Sequence, residues 1–270
     1  MDKSKSNKSS SLSDRMRMYE KVNTSYLMRR NPIIIRLDGR AFHTFTKDMQ
    51  KPFDYILMYS MQQTARALCE SIQGCKLAYT QSDEISLLIT DYDSIKTEAW
   101  FDYNVQKMVS LSASSATLFF NTFFRDNVLD FLNTSNIKDA EEFFRISNIY
   151  KNKIFKATFD SRVFSIPKDD VANYFIWRQE DATRNSIQMV AQANFSHKEI
   201  QNISCNDLQN KLLTEKKINW NNFSASEKRG TAIIRKHRVV NSEGLIRKKW
   251  VIDYKTPIFK KERNYIELLV

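Results

Sequence analysis

The sequence predicts an α+β protein: a ferredoxin-like βαββαβ antiparallel sheet with helices, followed by a C-terminal helical region and a small basic hairpin. Two observations carry the prediction. Short runs rich in β-branched residues alternate with longer runs whose apolar residues recur at helical spacing, in the order strand, helix, strand, strand, helix, strand. The two middle strands adjoin directly, as the arms of a hairpin do.

Taken in order, residues 1–15 read as a disordered basic tail, with no apolar core that a secretory signal needs. Residues 16–28 have helical spacing and lead into the breaker Asn31-Pro32. "IIIRLD", 33–38, is a buried strand that ends in an acid and a glycine. Residues 53–72 form a helix stopped by Gly74. "KLAYTQSDEISLLI", 76–89, is a hairpin with its turn at Ser82-Asp83, and 101–124 is a helix with a face rich in Ser and Ala. "IFKATFDSRVFSI", 154–166, is the last strand of the unit, halted by Pro167. Beyond it, 169–195 is a long amphipathic helix, and "SHKE" and "SCND" are Ser-x-x-acid helix starts. "KRGTAIIRKHRVV" and "KKWVIDY" form a closing hairpin rich in cations. No Pro- or Gly-rich linker divides the chain. Residues 16–270 are therefore expected to be a single catalytic domain, with a core over about 30–167 and a C-terminal helical and basic part over about 168–270.

Composition narrows the classes. A chain of 270 residues needs no disulfide or metal staple, since it can bury roughly 70–75% of its unfolded surface. No apolar run approaches the roughly 20 residues that span a bilayer, so no membrane partner is expected. Three cysteines without CxxC spacing point to a reducing, cytoplasmic setting. A net charge of +11 suits a polyanionic partner, nucleic acid or nucleotides, although a basic soluble protein of another kind has the same balance. There is no GxxxxGK[ST] phosphate loop, no evident Ser-His-Asp set, and the phenylalanines at 42, 45, 119, 120, 123 and 124 fall at core spacings.

The acids are the informative feature. A right-handed crossover makes the first two strands parallel, so both end on one edge of the sheet. Asp38 and Asp83, far apart in sequence, meet there. Such a carboxylate pair suits magnesium, and two ions can clamp a phosphoryl transfer. The plain alternative is a pair of exposed turns. Gly39 lets backbone approach an ion or phosphate. Arg40, Lys51 and Lys107 could hold triphosphate oxygens or be solvated charges. His43 reads as a packing or backbone-positioned residue, and Cys69 as core.

"RLDGRAFHTFTK", "KPFD", "AYTQSDEISLL", "FDSRVF" and "WRQED", in that order, resemble the tRNA(His) guanylyltransferase superfamily over about residues 30–235. The resemblance implies a polymerase-like palm that adds nucleotides to the 5′ end of tRNA in the 3′-to-5′ direction. A 5′-monophosphate is first activated by ATP or GTP, and the 3′-hydroxyl of an incoming nucleoside triphosphate then attacks it. It implies that Asp38 and Asp83 ligate two magnesium ions with the Gly39 carbonyl, and that Glu84 supports them as a second catalytic acid. It further implies a triphosphate cradle of Gly39, Arg40, Ala41, Phe42 and His43 beside Ser82, phosphate contacts from Lys51 and Lys107, and Asp54 near the base.

Where eukaryotic guanylyltransferases carry His-Ile-Asn-Asn, this chain has Thr183, Arg184, Asn185 and Ser186. That departure resembles the bacterial and archaeal "-like" branch, 3′-5′ RNA polymerases that repair 5′-truncated tRNA against a template strand. A homotetramer is implied. The cations expected to meet RNA are Arg162, Arg178, Arg184, Lys228, Arg229, Lys248 and Lys249. Rival readings are a tRNA(His)-specific guanylyltransferase, a palm-type nucleotide cyclase, for which the basic C-terminal cluster has no use, and a non-catalytic RNA-binding protein.

Overall fold

The computed structural model describes residues 11–239 and 246–270. The elements in order are α1 (Leu12–Lys21), β1 (Ile33–Gly39), α2 (Phe42–Phe45), α3 (Tyr55–Ser71), β2 (Cys75–Gln81), β3 (Glu84–Ile89), α4 (Val105–Thr134), α5 (Ala140–Lys151), β4 (Phe159–Ser165), α6 (Val171–Asn194), α7 (His197–Ile200), α8 (Cys205–Lys216), α9 (Ala225–Arg229), β5 (Thr231–Val239), β6 (Ile246–Asp253) and α10 (Asn264–Glu267). They build a six-stranded sheet of order β4-β1-β3-β2-β5-β6. Every neighbouring pair is antiparallel, so β1 and β2 run parallel with β3 between them. This is the predicted split unit, and the basic hairpin extends its sheet through β2.

Strand alternation divides the core in two. Ile33, Ile35, Leu37, Ile85, Leu87 and Ile89 face α3 and α4. Ile34, Leu77, Tyr79 and Leu88 face α6 and the C-terminal segment around Phe259 and Ile266. Below the first face Phe42, Phe120 and Phe124 are buried, as their core spacing predicted, and interlock ring to ring with the buried Phe159, while Phe45, Phe119 and Phe123 are half-buried. A third cluster joins the end of α6 to α8 and Phe53. No helix among the described residues is long and apolar enough to cross a membrane.

Several boundaries differ from expectation for local reasons. The first helix begins at Leu12, because the Ser11 hydroxyl caps the Asp14 N–H, so residues 12–15 are helical and not tail; residues 1–10 lie outside the described residues. The helix expected from 101 starts at Val105. Phe101, Asp102 and Tyr103 have positive φ and Asn104 supplies the cap, while the absence of a breaker lets the helix run to Thr134. The strand expected from 154 is confined to Phe159–Ser165. Helix α5, which no expectation covered, is announced by Asp139 capping Glu141 and Glu142. The Ser-x-x-acid starts at Ser196 and Ser204 do cap α7 and α8.

Gly230 ties the C-terminal part to the palm. It sits at φ +74°, and a Cβ there would lie 2.6 Å from the Tyr79 hydroxyl and 2.7 Å from the Thr80 carbonyl oxygen. Gly230→Ala should therefore cost about 1–3 kcal/mol, from overlap and left-handed backbone together. Urea unfolding is the check, and an unchanged midpoint would contradict the packing described.

Candidate active site at one edge of the sheet

Antiparallel pairing of β1 with β3 places Asp38 opposite Glu84, and the two-residue turn Ser82-Asp83 follows at the same edge. The Gly39 N–H donates to the Asp83 carbonyl at 3.1 Å, locking the two acidic segments together. Ser82 takes φ +49°, the left-handed conformation that the tight turn demands. The neighbouring cations are spent elsewhere: Arg36 on Glu84 at 2.7 Å, Arg162 near Asp160 at 3.9 Å. No cation pairs with Asp38 or Asp83 among the described residues. Burial raises the Asp83 carboxyl above its ordinary value, with the charges of Asp38 and Glu84 adding to it; the Ser82 side chain works in the opposite direction. Two uncompensated oxygen donors of like charge fit a hard divalent ion that keeps other ligands from substrate and water. Among the described residues no group of three or more His, Cys, Asp or Glu forms a complete metal cage.

Beyond Gly39 the chain turns under the sheet. The Arg40 N–H donates to Thr158, Ala41 adopts φ +55°, and α2 begins. The N–H groups of Ala41, Phe42 and His43 have no backbone acceptor among the described residues, so the expected cradle presents free donors. Gly39 has a steric reason besides the expected one: a Cβ would lie 2.3–2.7 Å from the Phe42 ring. His43 is exposed, which leaves the backbone-positioned role of the two expected of it, with Nε2 3.1 Å from the Thr44 hydroxyl. Arg40 is exposed as well. Exposed Lys51 shares a cavity of about 220 Å³ with Ser82, Gln50, Met189 and Gln192.

Three expected residues are placed otherwise, and a fourth, Asp54, is tied down within the site. Asp54 lines the same cavity, but its carboxylate is already committed: it accepts from Leu57 N–H and Gln50 N–H as the cap of α3, and from the Tyr150 hydroxyl. It shapes the wall, with most of its acceptor capacity already taken. Lys107 lies in the first turn of α4, 5.9 Å from the Phe101 ring centroid. Because α4 runs antiparallel to β4, with Ser112 bonded to Ser161 and Asn121 to Ala157, that turn is at the opposite edge of the sheet from Asp38. Glu84 is no free catalytic acid. It is buried, accepting both Nε and Nη2 of Arg178 at 2.7 Å and Arg36 at 2.7 Å. Arg178, expected on RNA, is only 4% exposed and also bonds Asp181 at 2.8 Å.

The remaining expected RNA contacts fall on three surfaces. Arg184, Lys228 and Arg229 border one groove of about 630 Å³ with Trp220 and Lys260. Arg162 is exposed on the edge strand β4, and Lys248 and Lys249 are exposed on the opposite edge strand, β6. Arg238 of the cation-rich hairpin has its side chain outside the described residues. Sequence reasoning missed Asp160, which stands directly opposite Asp38 across the β4–β1 pair. Its signal was the alternation in "FDSRVF", which puts Asp160 and Arg162 on the face that carries Asp38.

The tRNAHis guanylyltransferase (Thg1) family profile matches residues 13–167. A bacterial tRNA(His) guanylyltransferase (Thg1)-like protein in complex with ATP is 44% identical, with a TM-score of 0.81 over 97% of this chain and 99% of its own. A structure of such a bacterial protein in complex with GTP is 41% identical, with a TM-score of 0.77 over 96% and 99%. The tRNA(His) guanylyltransferase of Debaryomyces hansenii is 26% identical over 235 residues, 82% of this chain and 79% of its own.

The buried cluster gives a direct test. Arg178→Ala leaves Glu84 with one of its two cationic partners, and removing one member of a buried pair costs about 3 kcal/mol or more. Chemical denaturation should show a loss of that size, and Arg178→Lys should not restore it, since lysine lacks the two-pronged donor set. A wild-type midpoint for Arg178→Ala would return the residue to the RNA surface.

Proposed function

The chain belongs to the tRNAHis guanylyltransferase family, and from that premise we propose that it is a template-dependent 3′-5′ nucleotidyltransferase acting on the 5′ end of tRNA. The observation that carries the reading is the pair Asp38 and Asp83. They are uncompensated by any described cation, joined through Gly39, and flanked by unpaired backbone donors. The relatives solved with ATP and with GTP support nucleoside triphosphates as its substrates.

In this reading the 5′-phosphate oxygen of tRNA attacks the α-phosphorus of the activating nucleotide and pyrophosphate leaves. The 3′-hydroxyl of the incoming triphosphate then attacks the activated 5′-phosphate, and the nucleoside monophosphate leaves. Asp38, Asp83 and the Gly39 carbonyl would hold magnesium. When bound, magnesium neutralises phosphate charge and favours in-line displacement. The N–H groups of residues 41–43 and the side chains of Arg40, Lys51 and Ser82 bind triphosphate oxygens and orient them. Glu84 acts at one remove. Clamped by Arg36 and Arg178, it holds the start of β3, and so the Asp83 turn, in place. The groove of Arg184, Lys228 and Arg229 takes the RNA backbone, where binding rests on phosphate neutralisation. Assembly as a homotetramer in the cytoplasm completes the reading.

Template dependence follows from the residues at 183–186. Without the His-Ile-Asn-Asn signature, selection falls to pairing between the incoming base and the opposite strand. A mispaired base misplaces its 3′-hydroxyl, and about 1 Å of misplacement can cost ~10²-fold in rate. The test is incorporation of each nucleotide against all four opposing bases, on a 5′-monophosphorylated, 5′-truncated tRNA other than tRNA(His), with ATP and magnesium. We expect G opposite C and U opposite A. Addition of G whatever the opposing base, or only to tRNA(His), would favour a strict tRNA(His) guanylyltransferase.

A further inference from the structure

A second groove lies between α3 and the edge strand β6, on the same side of the sheet as α4. It holds about 670 Å³, within the range of sites that seat a small ligand. Tyr55 and Tyr59, one helical turn apart, present rings 14° from parallel with centroids 6.1 Å apart. Tyr55 is 72% exposed and Tyr254 is 54% exposed, so neither is held there by the core. Burial and the nearby Tyr59 and Tyr55 raise the Tyr254 phenol above its ordinary value, in keeping with one cluster of three rings. Arg66 and Lys248 line the groove beside them. Arg66 has Glu70 at 3.7 Å as an ion-pair partner, and its Nε has no acceptor among the described residues.

Bare aromatic faces bordered by cations are the chemistry that binds unpaired nucleotides: bases stack on the rings, and phosphates meet the charges. A paired helix offers no free base face to such a platform. Position narrows the choice of strand. Tyr55 follows Asp54 at the end of α3 nearest the acids, and Tyr254 follows Asp253, which pairs with Ala232 beside the active edge. Three strand-to-strand steps separate β3 from β6, roughly 15 Å at the usual spacing. In a tRNA acceptor, the unpaired strand that leaves beside the reacting 5′ end is the 3′ tail.

We propose that the groove between α3 and β6 binds the single-stranded 3′ end of the tRNA acceptor, stacking its bases on Tyr55, Tyr59 and Tyr254 while Arg66 and Lys248 neutralise its phosphates. The proposal rests on the tRNA reading above. The groove anchors the uncoiled strand while the 5′ end is held at Asp38 and Asp83.

The experiment compares the full chain with the Tyr55→Ala/Tyr254→Ala variant in binding a labelled single-stranded RNA ending in CCA and a blunt RNA duplex of equal length. The variant should lose roughly tenfold or more in affinity for the single strand, the scale of one or more lost stacks, and less than twofold for the duplex. Tyr55→Phe, which keeps the ring, should bind as wild type. Wild type should also bind tRNA lacking its 3′ tail more weakly than intact tRNA, and the double variant should not distinguish the two. Unchanged single-strand affinity, an equal loss on the duplex, or a changed sedimentation coefficient marking the groove as an interface between copies would overturn the proposal. Failure of wild type to extend any tRNA while the tyrosine-dependent binding persists would instead refute the enzymatic reading and leave a strand-binding groove.

Discussion

The backbone hydrogen bond from Gly39 to the Asp83 carbonyl, 3.1 Å long, is the constraint on which the site depends. It joins the end of one strand to the turn of a hairpin and so holds two like-charged carboxylates on a single edge. Such proximity is unfavourable in isolation, and the rest of the structure sustains it. Ile33, Ile35 and Leu37 bury β1 against one helical layer, Ile34 against the other, and β3 is buried along its whole length. A slip of one residue in the β1–β3 register would send Asp38 to the opposite face and empty both cores of their apolar rows.

A line of ion pairs runs from this edge to the groove bordered by Arg184, Lys228 and Arg229. Glu84 is clamped by Arg36 and Arg178, Arg178 reaches Asp181 at 2.8 Å, and Asp181 holds the exposed Arg184 at 2.8 Å. Burying Glu84 and Arg178 carries a desolvation cost, which short, two-pronged hydrogen bonding offsets. The pair ties α6 to the start of β3. A residue that resembles a catalytic acid in sequence is thus, in the fold, the buried partner of two arginines.

What was legible in the sequence follows the range of the forces involved. The strand at 33–38 and the hairpin at 76–89 could be read because period and turn chemistry are local, and right-handed crossover then brought Asp38 to Asp83. Arg178 was misread because its burial is a tertiary fact. Its hint was position: it shares the buried stripe of α6 with Tyr174, Phe175 and Ala182. Lys107 was misplaced because an outward-facing lysine says nothing about which end of its helix is near the site. The chain direction of α4 decides that. Asp54 declared itself as a helix cap only once Leu57 and Gln50 were seen to donate to it. The tyrosine groove was invisible because its rings come from elements almost 200 residues apart, and only the addition of β5 and β6 to the sheet brings Tyr254 beside α3.

The central claim is that Asp38 and Asp83 form one divalent-ion site completed by a nucleotide. The most direct measurement is manganese occupancy by electron paramagnetic resonance, with manganese standing in for magnesium and a non-hydrolysable ATP analogue at saturation. Wild type should bind more manganese per chain than the analogue binds alone, and Asp38→Asn should lose that surplus while unfolding at the wild-type temperature. An occupancy unchanged by Asp38→Asn would contradict the account.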